Sequence, residues 1–332
     1  MKAALARLGL IAVVIAVAWW LRDGFGDVGG ALDKAGLTGV VIVAAYHLLP
    51  MGLCGVAWSV LQTEVRRPLW VFVMGRWIRD GVGELAGFLP LSGEVAAIRH
   101  LTRFGYRPAV AGATVVVDLT AETIAQFFFS LLGVGMWAWL HPDSEITRWG
   151  LIALAVSVPV LVAMVVVQRS WFVHFIEELP SKLMPKTWGA PDLDQGVLAS
   201  IHDIYDRRRR VVLSTTWHFV AWIAGAAEAW LGLYLLGYPM NFAEVLALES
   251  VIFAVRSMAF VIPGAIGVQE GSYMLIGAAL GLPPEVGLAL SLLKRGRELI
   301  LGLSALVAWH FVEGATTKDK EKGKDKPGDG AA

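Results

Sequence analysis

The chain has 332 residues and zero formal net charge; 56% of it is hydrophobic and only 17% is charged. A soluble domain carries about 25% charge, so this deficit and a mean hydropathy of +0.62 point to a bilayer as solvent. The neutral balance argues against nucleic acid as a partner, and the one cysteine, Cys54, excludes an internal disulfide and a cysteine-based zinc cluster.

In chain order, the first apolar run covers 8–21, behind Lys2 and Arg7. Ala16-Val17-Ala18 resembles a signal-peptide cleavage site, but Trp19 and Trp20 follow at once, as an interfacial anchor would, and the run is expected to be retained. Residues 37–63 contain no Asp, Glu, Lys or Arg and are long enough to span. Residues 70–107 are apolar but broken by Gly, Pro and charge. A helix is expected from Pro108 to 140, and another span at 150–168. Residues 211–236 are interrupted only by Glu228. Residues 242–283 are broken like 70–107, and 285–311 form a last span with charges in its middle. Short, interrupted apolar pieces read as re-entrant helices. The predicted fold is an all-α polytopic membrane protein of about six spanning helices plus two re-entrant hairpins.

Most of the 28 lysines and arginines fall before the first span, between 64 and 107, between 169 and 210, or after 315. By the positive-inside rule these segments are cytoplasmic, with both termini inside. One transmembrane domain is thus expected over 1–313, with a cytoplasmic loop at about 169–210 carrying an interfacial helix and a disordered tail at 314–332. Arg207, Arg208, Arg209 and Arg210 set topology or hold anionic headgroups.

The two broken regions align at an offset of 176: Glu94 on Glu270, Gly105 on Gly281, Pro108 on Pro284, Val110 on Val286, Ala113 on Ala289, Glu122 on Glu298 and Ile124 on Ile300. The first hairpin opens from the cytoplasm and the second from outside. Similar sequence in opposite orientation predicts an inverted repeat, at about 35–140 and 211–313, with a site near the midplane where the broken helices meet.

Charges inside a span are costly and mark function or pairing. The helix after Pro108 carries Asp118 and Glu122 on one face. Its partner after Pro284 carries Lys294 and Glu298, with Arg295 and Arg297 beside them. A cross-repeat ion pair, Asp118 or Glu122 with Arg295 or Arg297, would lock the halves; a transport pathway or gate fits equally. Pro263 stops a helix, Gly264 and Gly267 let the chain reverse, and Glu270 sits in the first turn of the next helix, whose free N–H groups suit an anion. Pro90, Ser92, Gly93 and Glu94 form the matching turn, with Ser92 as its N-cap. Arg256 is placed to meet an anionic headgroup or to neutralise Glu249 or Glu270. The histidines show no metal spacing, and no hydrolase, phosphate-loop or nucleotide motif occurs; no cofactor or metal is expected, and proton coupling through Glu94, Asp118, Glu122 or Glu270 stays open.

The stretch from Pro263 through Gly264, Ala265, Gly267 and Glu270 to Gly271, followed by Gly281, Ser291 and Arg295, resembles the transmembrane flippase domain of the lysylphosphatidylglycerol synthase superfamily. The piece from Pro90 to Glu94, with Gly105 and Asp118, is similar to that family's first-half pattern, and within it the chain looks like the hopanoid-biosynthesis-associated membrane proteins of bacteria. The resemblance covers about 1–313 and implies an inner-membrane location, two repeats with re-entrant helices, and movement of a polar lipid between leaflets. Ala265 stands where the family often has a second glycine. The soluble aminoacyl-transfer domain of the bifunctional members has no counterpart in these residues, so lipid aminoacylation is not implied. The expected function is a flippase-like lipid transporter, not an enzyme, whose partners are membrane lipids such as hopanoids. A membrane-embedded lipid-modifying enzyme and a scaffold for hopanoid-pathway enzymes are the alternatives, and self-association is left open.

Overall fold

A computed structural model describes residues 25–63, 65–85, 91–140, 196–258, 265 and 267–324, with single helical positions at 148, 155 and 159. Its helices are α1 (Phe25–Ser59), α2 (Leu69–Leu85), α3 (Ser92–Arg103), α4 (Pro108–Leu140), α5 (Val197–Asp206), α6 (Arg208–Leu235), α7 (Phe242–Met258), α8 (Val268–Ala279) and α9 (Pro284–Lys324). The described residues are thus all-α. The expected runs at 8–21 and 150–168, most of the loop at 169–210, and Pro90, Pro263 and Gly264 lie outside them.

By length and composition, the segments Asp33–Ser59 and Pro108–Trp139 can cross a membrane. The other two described segments read as spans are also long helices, α6 and α9. Each also carries large apolar side chains on its outer face. On α9, Leu299, Ile300, Leu303 and Val307 form an exposed stripe, while Lys294, Arg297 and Glu298 are buried on another face. In water such a stripe would be unfavourable; in lipid it is the expected surface, and the charges turn inward.

The broken regions resolve into two helical hairpins. Helices α2 and α7 have 17 residues each, and α3 and α8 have 12 each. At 1.5 Å per residue these reach about 25 and 18 Å, short of a hydrocarbon core of about 30 Å. In the first hairpin, His100 meets the Val71 carbonyl at one end and Glu94 meets Arg79 near the other, so α2 and α3 run antiparallel and the chain returns to the side it entered from.

The 176-residue offset is also a structural one. It relates the starts of α3 and α8, and of α4 and α9. It relates the left-handed residues before the short helices, Leu91 (φ 61°) and Gly267 (φ 83°), and those after them, Gly105 (φ 86°) and Gly281 (φ 78°). The packing repeats as well. Helix α1 packs on α9 as α6 packs on α4, and α2 crosses to α9 as α7 crosses to α4. The equivalent helices α1 and α6 lie side by side. Lys34 sits over the Tyr238 ring at 5.1 Å, His47 lies 2.5 Å from Glu228, and Cys54 lies beside His218. Rising numbers on α1 therefore meet falling numbers on α6, so the two halves run in opposite directions.

Three expectations are corrected. Ser92 is not a cap but the first helical residue; the cap position is Leu91, which makes no side-chain cap bond. Gly93 is a packing glycine inside α3, not a turn residue: a Cβ there would lie 2.3 Å from the Arg79 carbonyl oxygen. The tail is helical as far as Lys324. Its lysines, with Glu321, are good helix formers, and they extend a helix already nucleated.

Ala265, where the family often has glycine, is left-handed (φ 47°). That conformation costs a residue with a Cβ about 1 kcal/mol. Ala265→Gly is therefore expected to leave stability unchanged or raise it by up to about 1 kcal/mol, because relief of strain outweighs the looser unfolded chain. Thermal unfolding in detergent checks this, and a lowered midpoint would contradict it.

Candidate functional site

The first hairpin carries two arginines into the bundle. On α2, Arg76 grips Glu122 of α4 with both guanidinium ends, at 2.8 and 2.7 Å, and reaches Asp80 one turn on at 2.8 Å. Arg79 donates to Asp118 at 2.9 Å and to Glu94 and Glu122 at 3.4 Å each. The second oxygen of Asp118 lies 2.9 Å from His218 Nε2 of α6, and both of these side chains are fully buried. Bidentate, charge-assisted bonds of this kind are strong and fix geometry.

The second half builds its own network. Lys294 donates to Glu249 at 2.6 Å and to the Tyr273 hydroxyl at 2.7 Å, and Tyr273 donates to Glu249. Arg297 donates to Glu228 at 3.0 Å and to Glu298 at 3.1 Å. His47 Nδ1 lies 2.5 Å from both Glu228 and Arg297. One nitrogen cannot donate to the carboxylate and accept from the guanidinium together, so His47 serves one of them at a time. Arg295 bridges Glu298 (2.9 Å) and Glu270 (3.0 Å). Glu270 also accepts from the Gly267 backbone N–H at 2.7 Å. This N–H, part of the α8 N-terminus expected to suit an anion, is thus held by the helix's own carboxylate. Arg256 sits over the Phe253 ring at 5.5 Å, and its charge acts on Glu84 and Glu298.

The expected pairing of Asp118 or Glu122 with Arg295 or Arg297 is not formed. The bases for those acids come from α2, whose Arg76 and Arg79 the charge count places only among the cytoplasmic-side residues of the first re-entrant segment. A compensated buried charge needs its partner within bonding reach, and the re-entrant hairpin delivers it from the same half. The two halves are also reciprocal. Arg76 on α2 corresponds to Glu249 on α7, and Asp118 on α4 corresponds to Lys294 on α9. The first half holds base on the hairpin and acid on the spanning helix (Arg76 to Asp118, 3.9 Å); the second holds them reversed.

The networks meet at a narrow cleft of about 10 Å³ lined by His47, Asp80, Glu84, Arg297 and Glu298, with Trp77, Met51, Leu301 and the glycines Gly81 and Gly302. Asp80 belongs to the first network and Arg297 and Glu298 to the second. Sequence reasoning missed Arg76, Arg79, Asp80, Glu84, Glu249, Tyr273, His47 and His218 as members of these networks and the cleft.

One end of the molecule is basic. Arg67 donates to the Phe104 carbonyl at 2.5 Å, Arg210 donates to the Gln62 carbonyl, and the Tyr106 hydroxyl donates to the Val65 carbonyl at 2.6 Å. Burial pushes the Tyr106 phenol up to about 12. The end of α1, the α3–α4 turn and the start of α6 therefore gather there. Arg207 pairs with Asp203 at 3.1 Å, while Arg208 and Arg209 are exposed, as residues facing headgroups would be.

Residues 5–305 match the family model described as the lysylphosphatidylglycerol synthase TM region. No curated protein and no solved structure matches the chain.

Proposed function

The chain belongs to the lysylphosphatidylglycerol synthase TM region family, and from that premise we propose that it moves a polar-headed lipid between the leaflets of a bacterial inner membrane. The observation that carries this reading is the charged cleft between two oppositely directed halves, set inside helices whose outer faces are apolar. A headgroup can follow Asp80, Glu84, Arg297 and Glu298 while its tails stay in lipid. The cargo classes that fit are a hopanoid with a polar head and an anionic phospholipid. The gathered arginines at one end support placing that end, and both termini, in the cytoplasm.

The test is a leaflet-resolved assay in proteoliposomes with each lipid class. Arg295 and Glu270 are partly exposed, with 22% and 20% of their side chains accessible, so losing that pair costs less than the loss of a fully buried one, which is about 3–5 kcal/mol. Arg295→Ala and Glu270→Gln should slow lipid movement about tenfold or more, equal to about 1.4 kcal/mol of barrier, in protein that still melts cooperatively. Wild-type protein that moves neither lipid class, from cells whose deletion strain loses a modified lipid, would favour a membrane-embedded enzyme instead.

A further inference from the structure

The first-half network is unbalanced. Arg76 and Arg79, with His218 on Asp118, face Asp80, Glu94, Asp118 and Glu122, so the acids outnumber the bases. Asp80 and Glu94 are partly open, with 30% and 25% of their side chains accessible, but Asp118 is fully buried, and an acidic excess beside it favours a bound cation. Beside it, Cys54 of α1, Glu122 of α4 and His218 of α6 bring a thiol sulfur, a carboxylate oxygen and a ring nitrogen to within 4.8 Å of one another. His218 is fully buried; its Nε2 is held by Asp118, and its Nδ1 has no hydrogen-bond partner among the described residues. A buried imidazole nitrogen without a partner is costly, and a carboxylate on the opposite nitrogen is the arrangement that orients a metal-ligating histidine.

We propose that Cys54 Sγ, His218 Nδ1 and a Glu122 oxygen bind a divalent transition-metal ion of the zinc class, with Asp118 orienting the histidine. Thiolate, imidazole and carboxylate are the donors such an ion takes, and its fourth position is left for water. In a tetrahedral site the donors lie about 3.3–3.6 Å apart, so small rotamer shifts close the triad onto the ion. Each Glu122 oxygen has two lone pairs, so it keeps Arg76 while ligating. Binding releases the thiol proton. The ligands come from helices of both halves, so the ion ties them together where they pack.

The test uses the full chain purified in detergent, stripped with chelator and titrated with Co²⁺ alone. The expected result is about one ion per chain with a thiolate-to-cobalt charge-transfer band in the near ultraviolet, displaced by Zn²⁺. Cys54→Ala should abolish the band, and Glu122→Gln should weaken binding about tenfold or more. Wild-type protein with no thiolate band overturns the proposal, whether or not the variants fold. So does a band unchanged in Cys54→Ala.

Discussion

Lys294→Glu should unfold or severely destabilise the protein, and adding Glu249→Lys should restore most of the loss. Lys294 is buried, and its ammonium sits between Glu249 and the Tyr273 hydroxyl at 2.6 and 2.7 Å. A second carboxylate there would put two acids against each other with no counter-charge, and breaking a buried pair costs about 3–5 kcal/mol. The reversed pair returns an acid on α9 and a base on α7. That is the polarity the first half already carries, with Arg76 on α2 and Asp118 on α4. Tyr273 can donate to a carboxylate on either helix, because its hydroxyl rotates. Tryptophan fluorescence on heating in detergent reads the result. If the double variant melts as low as the single, the network is held by shape and not by charge complementarity.

That reciprocity bears on how much was legible in the sequence. The offset of 176 was readable from Glu94 and Glu270 through Pro108 and Pro284, and it places the starts of α3, α4, α8 and α9. The midspan acids and bases were readable because charge within an apolar run is conspicuous. Their partners were not. Arg76 and Arg79 lie in a segment dense in arginine, where cytoplasmic-side charge is the simpler reading; only the hairpin's return into the bundle makes them buried. Glu249 aligns with Arg76 only at an offset of 173, because the hairpin connection differs in length between the halves, and an ungapped comparison passes over it. His47 and His218 stand alone in apolar helices, with nothing in their spacing to mark them. The ligand triad with Cys54 is invisible to any spacing rule, since its members come from α1, α4 and α6.

The reversed polarity of the two halves also says what kind of repeat this is. Acids outnumber lysines and arginines in both networks, so the reversal lies in which helix carries which sign and not in the net charge. Here Asp80 and Glu84 approach the cleft on α2 while Arg297 and Glu298 approach it on α9. On the proposed function, a headgroup entering this cleft would meet both signs along one path.

The asymmetry extends to the hairpins, and Gly93→Val is where it should show most. In the first hairpin α3 crosses α2 so closely that a Cβ at Gly93 would stand 2.3 Å from the Arg79 carbonyl oxygen and 3.3 Å from the Gly83 Cα. Backbone cannot swing aside as a side chain can, so the helices must part. Parting them draws Glu94 off Arg79, which also holds Asp118. The cost is about 3 kcal/mol or more, combining overpacking with loss of a buried ion-pair contact. In the second hairpin the equivalent position is Gln269, fully buried, with its amide donating to Ser291 at 3.0 Å. There the side chain is directed at Ser291 of α9, and Gln269→Gly should cost about 2–3 kcal/mol: one hydrogen bond, some packing and a glycine within a helix. Heating each variant and measuring the fraction still monodisperse by gel filtration separates the two. A Gly93→Val melting point within about 2 °C of wild type, on the scale where 1 kcal/mol moves a mid-sized domain by about 2–4 °C, would mean that the first hairpin is not held against its neighbour by close backbone contact. The route by which Arg76 and Arg79 reach Asp118 and Glu122 would then need another explanation.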